Sequence, residues 1–208
     1  MVQRLLAWCG ATPFCRITDM NIAILGGSFN PPHVCHVLSA TWVLSARPVD
    51  EVWLMPVGQH AFGKGLESFA HRARMCELAA APLNNVRVTD IERRLGGENR
   101  TIDTLQVLDR EHPEARFSLI IGADILQEAH LWKAWDVLER DYGFHVLGRE
   151  GYPMPEDQDF QVELPAVSST DLRAKLARGD FAGCEGRLSL SVMDYIREHR
   201  LYNIPGGG

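Results

Sequence analysis

The sequence predicts an α/β protein: a Rossmann-like, doubly wound parallel sheet with helices on both faces. Short apolar runs of strand character alternate with helical patterns along the chain, which implies right-handed crossovers between parallel strands. The first run stops at Gly26-Gly27 and another at Gly122-Ala123-Asp124. Both stops fall at strand ends, where sheets of this kind bind their ligands.

Residues 1–19 precede the first strand as an extension, read either as disordered or as the product of a start placed upstream of the true one. Its Leu-Leu-Ala-Trp patch after Arg4 is too brief for a signal peptide. A single domain then spans 20–208. The first strand occupies 22–26, and Pro31 and Pro32 fix the entry to a helix over 34–46. Further strands are predicted at 51–56, 86–88, 117–121 and 144–147, and helices at 69–81, 101–111, 134–140, 169–178 and 189–199. The segment 148–160, with Gly148, Gly151, Pro153, Pro155 and several acids, reads as an exposed connection. Beyond the terminal Gly206-Gly207-Gly208 there is no low-complexity tract and no internal repeat.

The chain has 208 residues, 46% of them hydrophobic and 23% charged, enough for one globular domain with a substantial core. A net charge of −6 gives no electrostatic footprint for nucleic acid, so small-molecule chemistry is favoured. Cys9, Cys15, Cys35, Cys76 and Cys184 are odd in number and scattered, without the spacing of a zinc ribbon or a disulfide scaffold, which points to the cytoplasm. No apolar stretch approaches the roughly 20 residues that span a bilayer.

Two motifs carry chemistry. In Ile22-Ala23-Ile24-Leu25-Gly26-Gly27-Ser28-Phe29-Asn30-Pro31-Pro32-His33-Val34-Cys35-His36, a strand stops at two glycines and restarts as a helix. Glycines permit a sharp turn and a close approach of main-chain N–H groups to an anion, and a helix start favours negative charge. His33 and His36, three apart, fall on neighbouring positions of the first turn. The run matches neither the Walker pattern nor the G-x-G-x-x-G fingerprint. The second motif, Val167-Ser168-Ser169-Thr170-Asp171-Leu172-Arg173, brings hydroxyls and a guanidinium to a helix start. By itself it is also an ordinary helix cap.

With these residues together, the sequence resembles the nucleotidylyltransferase superfamily, and most closely the bacterial nicotinate mononucleotide adenylyltransferases, over about 20–204. Also alike are His71-Arg72 with Met75, Thr101 with Asp103-Thr104-Leu105, Ile121-Gly122-Ala123-Asp124, Trp132, and Tyr195-Ile196 with Leu201-Tyr202. The resemblance implies transfer of AMP from ATP to nicotinate mononucleotide, with release of pyrophosphate and formation of deamido-NAD in NAD biosynthesis. It implies His33, His36 and Arg173 as catalytic residues. ATP would be held by Gly26, Gly27, Ser28, Phe29, Gly122, Asp124, Ser168, Ser169, Thr170 and Arg173, with Gly122 and Asp124 at the adenosine ribose. Asn30, Lys64, Arg72, Thr101 and Trp132 would serve the mononucleotide, Trp132 as a platform for the pyridine ring. Mg²⁺ would be carried on ATP phosphate oxygens without a dedicated protein cage. The implied partners are ATP and a pyridine mononucleotide, with a homo-oligomer left open.

Alternatives stand beside several of these roles: a helix cap for Asp124, core packing for Trp132, solvated surface for Lys64, Arg72 and Thr101. The chain also departs from the family's pattern. Cys35 stands where a glycine is usual, at a helix start that can lower a thiol's pKa and make it an oxidation site. Zinc on His33, Cys35 and His36 would lack a fourth ligand. Gln59-His60-Ala61-Phe62-Gly63-Lys64 replaces a Pro-Pro-His-Lys-like loop, and Arg100 a tyrosine. The rival functions are a nucleotidylyltransferase with another acceptor, and a non-catalytic nucleotide-binding or sensing protein.

Overall fold

The computed structural model describes residues 20–58, 65–153 and 162–204. The extension 1–19, the segment 59–64 with Lys64, residues 154–160 of the predicted connection and the glycine tail lie outside the described residues. In chain order the elements are β1 (Met20–Gly27), α1 (Val34–Ala46), β2 (Glu51–Pro56), α2 (Phe69–Ala80), β3 (Val86–Val88), α3 (Ile91–Leu95) and α4 (Thr101–Glu111). There follow β4 (Ala115–Gly122), α5 (Ala123–Gln127), α6 (Trp135–Val137), β5 (Phe144–Arg149), β6 (Glu163–Leu164), α7 (Ser169–Leu176) and α8 (Leu190–Glu198).

The six strands run parallel in the order β3-β2-β1-β4-β5-β6, the doubly wound arrangement expected. The order reverses between β1 and β4, where Leu25 pairs with Ile120. The Gly26-Gly27 and Gly122 strand ends therefore emerge side by side.

Alternation along β1 sends Ile22 and Ile24 to one face and Ala23 and Leu25 to the other. The first face packs with Phe117, Leu119, Ile121 and Val146 under Ile102, Leu105 and Leu108 of α4. The second packs with Val52, Leu54, Ile120 and Leu147 under Ala40 and Val43 of α1 and Cys76 and Ala80 of α2. Burying one such leucine or isoleucine contributes roughly 1.5–3 kcal/mol. Cover on both faces is why the strands read as continuous apolar runs. A third cluster joins Met75 of α2, Leu172 and Leu176 of α7, and Val192 and Ile196 of α8, and so seats α7 against α2 and α8. Among the described residues no helix is long and apolar enough to cross a membrane.

Two expectations change. The predicted helix over 134–140 begins with Ala134 at φ 55, has one α turn, Trp135–Val137, and continues as a π-helical turn over Leu138–Tyr142. Trp135 stacks on Phe144 at 4.5 Å and Leu138 is fully buried, so core packing sets the backbone there. A sixth strand, β6, was not predicted, because two residues cannot display a period. It pairs Glu163 with Gly148, where a Cβ would stand 2.6 Å from the Val162 carbonyl oxygen.

Gly148→Ala should therefore destabilise the protein by roughly 1–3 kcal/mol, because a backbone oxygen cannot swing aside. Gly26→Ala, whose Cβ meets nothing nearer than Met55 Cε at 3.6 Å, should cost far less. Urea unfolding of the two variants makes the comparison, and equal midpoints would contradict it.

Candidate active site

After β1 the chain turns through Ser28-Phe29-Asn30 with Phe29 at φ 47, a left-handed conformation that a bulky residue adopts only when packing compels it. The Phe29 ring supplies that packing: it is 1% exposed and lies 4.8 Å from the His36 ring. The loop's carbonyls are occupied from behind. Ser28 O accepts from Arg72 Nη1 (2.8 Å), Asn30 O from Arg173 Nη1 (2.8 Å), and Pro31 O from Ser169 Oγ (3.0 Å). With these acceptors taken by the protein, the loop does not offer them to an anion.

Two side chains expected at the mononucleotide, those of Arg72 and Asn30, are spent on the protein itself. Arg72 is 1% exposed, and its guanidinium also donates to Glu67 O (3.0 Å) and Val57 O (2.7 Å). It anchors the corner and does not line the cleft, so it is unavailable to a mononucleotide phosphate. The Phe29 ring packs in the core beneath the turn, while the role expected of this residue lay with its backbone. The Asn30 amide, fully buried, donates to Gly65 O (3.2 Å) and accepts from Glu67 N–H (3.2 Å), so its side chain joins two loops and has little left for substrate.

His33 is the N-cap of α1. Its backbone N–H donates to His36 Nδ1 at 3.0 Å, which leaves the neutral His36 ring carrying its proton on Nε2. The two rings lie 3.9 Å apart between centroids. Burial, reinforced by the charge of Arg149, lowers the His33 pKa to about 4. Burial, then His33 and Arg149, holds His36 well below the usual range. Both imidazoles are therefore neutral at neutral pH, each able to donate one hydrogen bond. His33 Nδ1 is buried without a partner among the described residues, at a cost of about 1–3 kcal/mol unless a ligand meets it.

Cys35 between them is buried, and its thiol donates to Pro165 O at 3.2 Å. Burial raises its pKa, which overturns the expectation of an activated thiol at this helix start. Among the described residues no group of three or more His, Cys, Asp or Glu could hold a metal ion.

At the start of α7, Ser168 Oγ accepts from Thr170 N–H at 3.2 Å, so the cap reading and the cleft position hold together. Ser169 spends its hydroxyl proton on Pro31 O and can give an anion only its N–H. Arg173 bridges Asn30 O and Thr170 Oγ1 (3.2 Å) while lining the cleft. At the β4 end, Asp124 makes no helix-cap bond. Its Oδ2 accepts from Arg149 Nη1 at 2.7 Å and its Oδ1 is buried without a partner.

These residues line one cleft of about 820 Å³, inside the range of small-molecule sites. Gly26, Gly27, Ser28, His33, His36, Gly122, Asp124, Ser168, Ser169, Thr170 and Arg173 all contribute, and so do Asn30, Thr101 and Trp132. Trp132 meets Trp135 edge-on at 5.8 Å, so Trp135 belongs to the core while Trp132 borders both core and cleft. Sequence reading missed Arg149 and Glu92. Arg149 ends β5 at the ligand-binding edge of the sheet, and strand-end position was the available signal. Glu92 is buried, accepts from Thr104 Oγ1 at 2.7 Å, and gave no local sign.

A family model described as cytidylyltransferase-like matches residues 24–175. A probable nicotinate-nucleotide adenylyltransferase of Anaeromyxobacter dehalogenans is 45% identical over 87% of this chain and 96% of its own length. One of Myxococcus xanthus is 43% identical over 89% and 96%. In structure, the chain is similar to a nicotinic acid mononucleotide adenylyltransferase of Plasmodium falciparum, complexed with NaAD. The TM-score is 0.77 and the identity 21%, over 90% of this chain and 99% of that one.

The buried histidines predict acid sensitivity. His33, and His145 of β5, whose Nε2 lies 3.0 Å from Ser118 Oγ, both have folded pKa values near 4, set first by burial, against about 6.5 unfolded. The unfolded chain binds more protons between these values, so their stabilisation is complete above pH 6.5 and is lost as pH falls toward 4. Each histidine should contribute roughly 1–3 kcal/mol. Tm measured from pH 7 to 4.5 should fall, and His145→Asn should flatten the slope; a flat wild-type profile would contradict the assignment.

Proposed function

The chain belongs to the cytidylyltransferase-like family, among the nicotinate-nucleotide adenylyltransferases, and from that membership we infer that it transfers AMP from ATP to nicotinate mononucleotide, releasing pyrophosphate and forming deamido-NAD. The observation that carries this reading onto individual residues is the meeting of the Gly26–Ser28, His33–His36, Gly122–Asp124 and Ser168–Arg173 segments in one cleft.

The chemistry asks for alignment more than for a reactive side chain. The acceptor phosphate oxygen is already ionised at neutral pH and attacks the α-phosphorus of ATP. The bond from that phosphorus to the oxygen bridging to the β-phosphate breaks, and pyrophosphate leaves with the electron pair. Two polyanions must be held in line while charge is stabilised. Neutral His33 and His36 donate N–H groups to the phosphates, and a bound triphosphate favours protonating them. The N-terminus of α7, the Ser168 hydroxyl and Arg173 hold the β- and γ-phosphates. The carboxylate of Asp124 accepts from the ribose hydroxyls, and Thr101 and Trp132 form the acceptor side. Mg²⁺ carried in with ATP would supply charge neutralisation at the phosphates, with no dedicated protein cage called for. The buried thiols of Cys35, Cys76 and Cys184 are free, which suits a cytoplasmic enzyme.

The test is purified protein with Mg²⁺-ATP and a panel of mononucleotides, with pyrophosphate and dinucleotide both followed. Nicotinate mononucleotide should give deamido-NAD; product from another acceptor alone, or ATP binding without product, would select a rival reading. His36→Ala should lower turnover roughly 10²-fold with the fold intact, although Tm should fall somewhat because the His33 N–H loses its acceptor and the Phe29 ring a neighbour. Near-normal turnover would remove His36 from the catalytic set.

A further inference from the structure

We propose that Arg149 is a catalytic residue of this reaction, its guanidinium passing from Asp124 to the α-phosphate as ATP binds; the inference rests on the adenylyl-transfer reading. Arg149 is the last residue of β5, which lies beside β4, and it lines the cleft. Its Nη1 is 2.7 Å from Asp124 Oδ2, and its charge helps to keep His33 and His36 unprotonated. The guanidinium therefore lies within electrostatic reach of both the carboxylate at the ribose end and the histidine pair at the phosphates. Between ribose and leaving pyrophosphate there is one phosphorus, the α-phosphorus that reacts.

The other guanidinia near the corner are already engaged. Arg72 is fixed to three carbonyls, and Arg173 to Asn30 O and Thr170 Oγ1. The Arg149 side chain has a single hydrogen-bond partner among the described residues and is 55% exposed. An ion pair so open to solvent contributes about 1 kcal/mol or less, whereas a guanidinium meets two phosphate oxygens with paired charge-assisted bonds. Exchange onto phosphate is downhill. It also frees Asp124 Oδ2 to join the unpartnered Oδ1 in accepting ribose hydroxyls.

At the α-phosphorus the acceptor oxygen forms its bond as the bond to the bridging oxygen breaks. The guanidinium stabilises charge on the oxygens that do neither, and no proton moves to or from Arg149. Its contribution therefore reaches the chemical step as well as ATP binding.

Arg149→Met should lower kcat roughly 10²-fold, with the KM for ATP raised as well because the contact already forms in the bound ground state, and Arg149→Lys, keeping charge without the fork, should fall between. A role limited to holding Asp124 would raise KM and spare kcat. The side chain is solvent-exposed, so unfolding is not expected, and equal Tm values verify it. A kcat within twofold of wild type for Arg149→Met would overturn the inference while leaving the reading intact. So would a complex with a non-hydrolysable ATP analogue in which Arg149 stays on Asp124 and off the phosphates. Absence of pyrophosphate from the wild type with every mononucleotide would overturn the reading and the inference together.

Discussion

The cleft depends on one buried cation. Arg72 donates to the carbonyls of Ser28, Val57 and Glu67, and so ties the turn after β1 to the chain that leaves β2 and to the approach to α2. A guanidinium out of water is costly unless its N–H groups are satisfied, and here carbonyl dipoles satisfy them. Asn30 repeats the link with Gly65 O and Glu67 N–H. The phosphate corner and the wall of Val57, Gly65 and Leu66 are thus held by a shared scaffold, which suits a reaction governed by the alignment of two substrates.

From that anchor the electrostatics of the cleft follow. The protein as a whole is acidic, with a net charge of −6, yet its corner collects donors: two neutral imidazoles, the first turn of α7, Arg173 and Arg149. The imidazoles are neutral because they are buried, and burial is what lets them present fixed N–H groups. The two arginines differ in availability. Arg173 is partly committed to the loop it serves, and Arg149, itself exposed, rests on the half-buried carboxylate of Asp124.

Much of the fold was legible because its signals are local. Continuous apolar runs follow from burial on both faces, and the glycine, proline and histidine sequence after β1 marks a strand end and a helix start. The misses were short or imposed from outside. β6 is two residues long, and the π-helical turn at Leu138–Tyr142 answers to the packing of Trp135 and Leu138. Among site residues, the motifs located the corner while misjudging how its side chains are spent. The Arg72 guanidinium is spent on three carbonyls, the Asn30 amide joins two loops although the residue borders the cleft, and Ser169 gives its hydroxyl to Pro31 O.

The sequence by itself determined that strands and helices alternate, that the first strand ends in a glycine turn leading into a helix with two histidines, and that a hydroxyl-rich cap with an arginine lies far downstream. Those features depend on residue type and near-neighbour spacing. Tertiary structure decided which donors remain for a ligand. Arg72 meets a carbonyl 44 residues away and Arg173 one 143 residues away, while Arg149 finds Asp124 across 25. Whether a guanidinium is consumed by the backbone or left facing the cleft depends on which distant groups folding brings beside it.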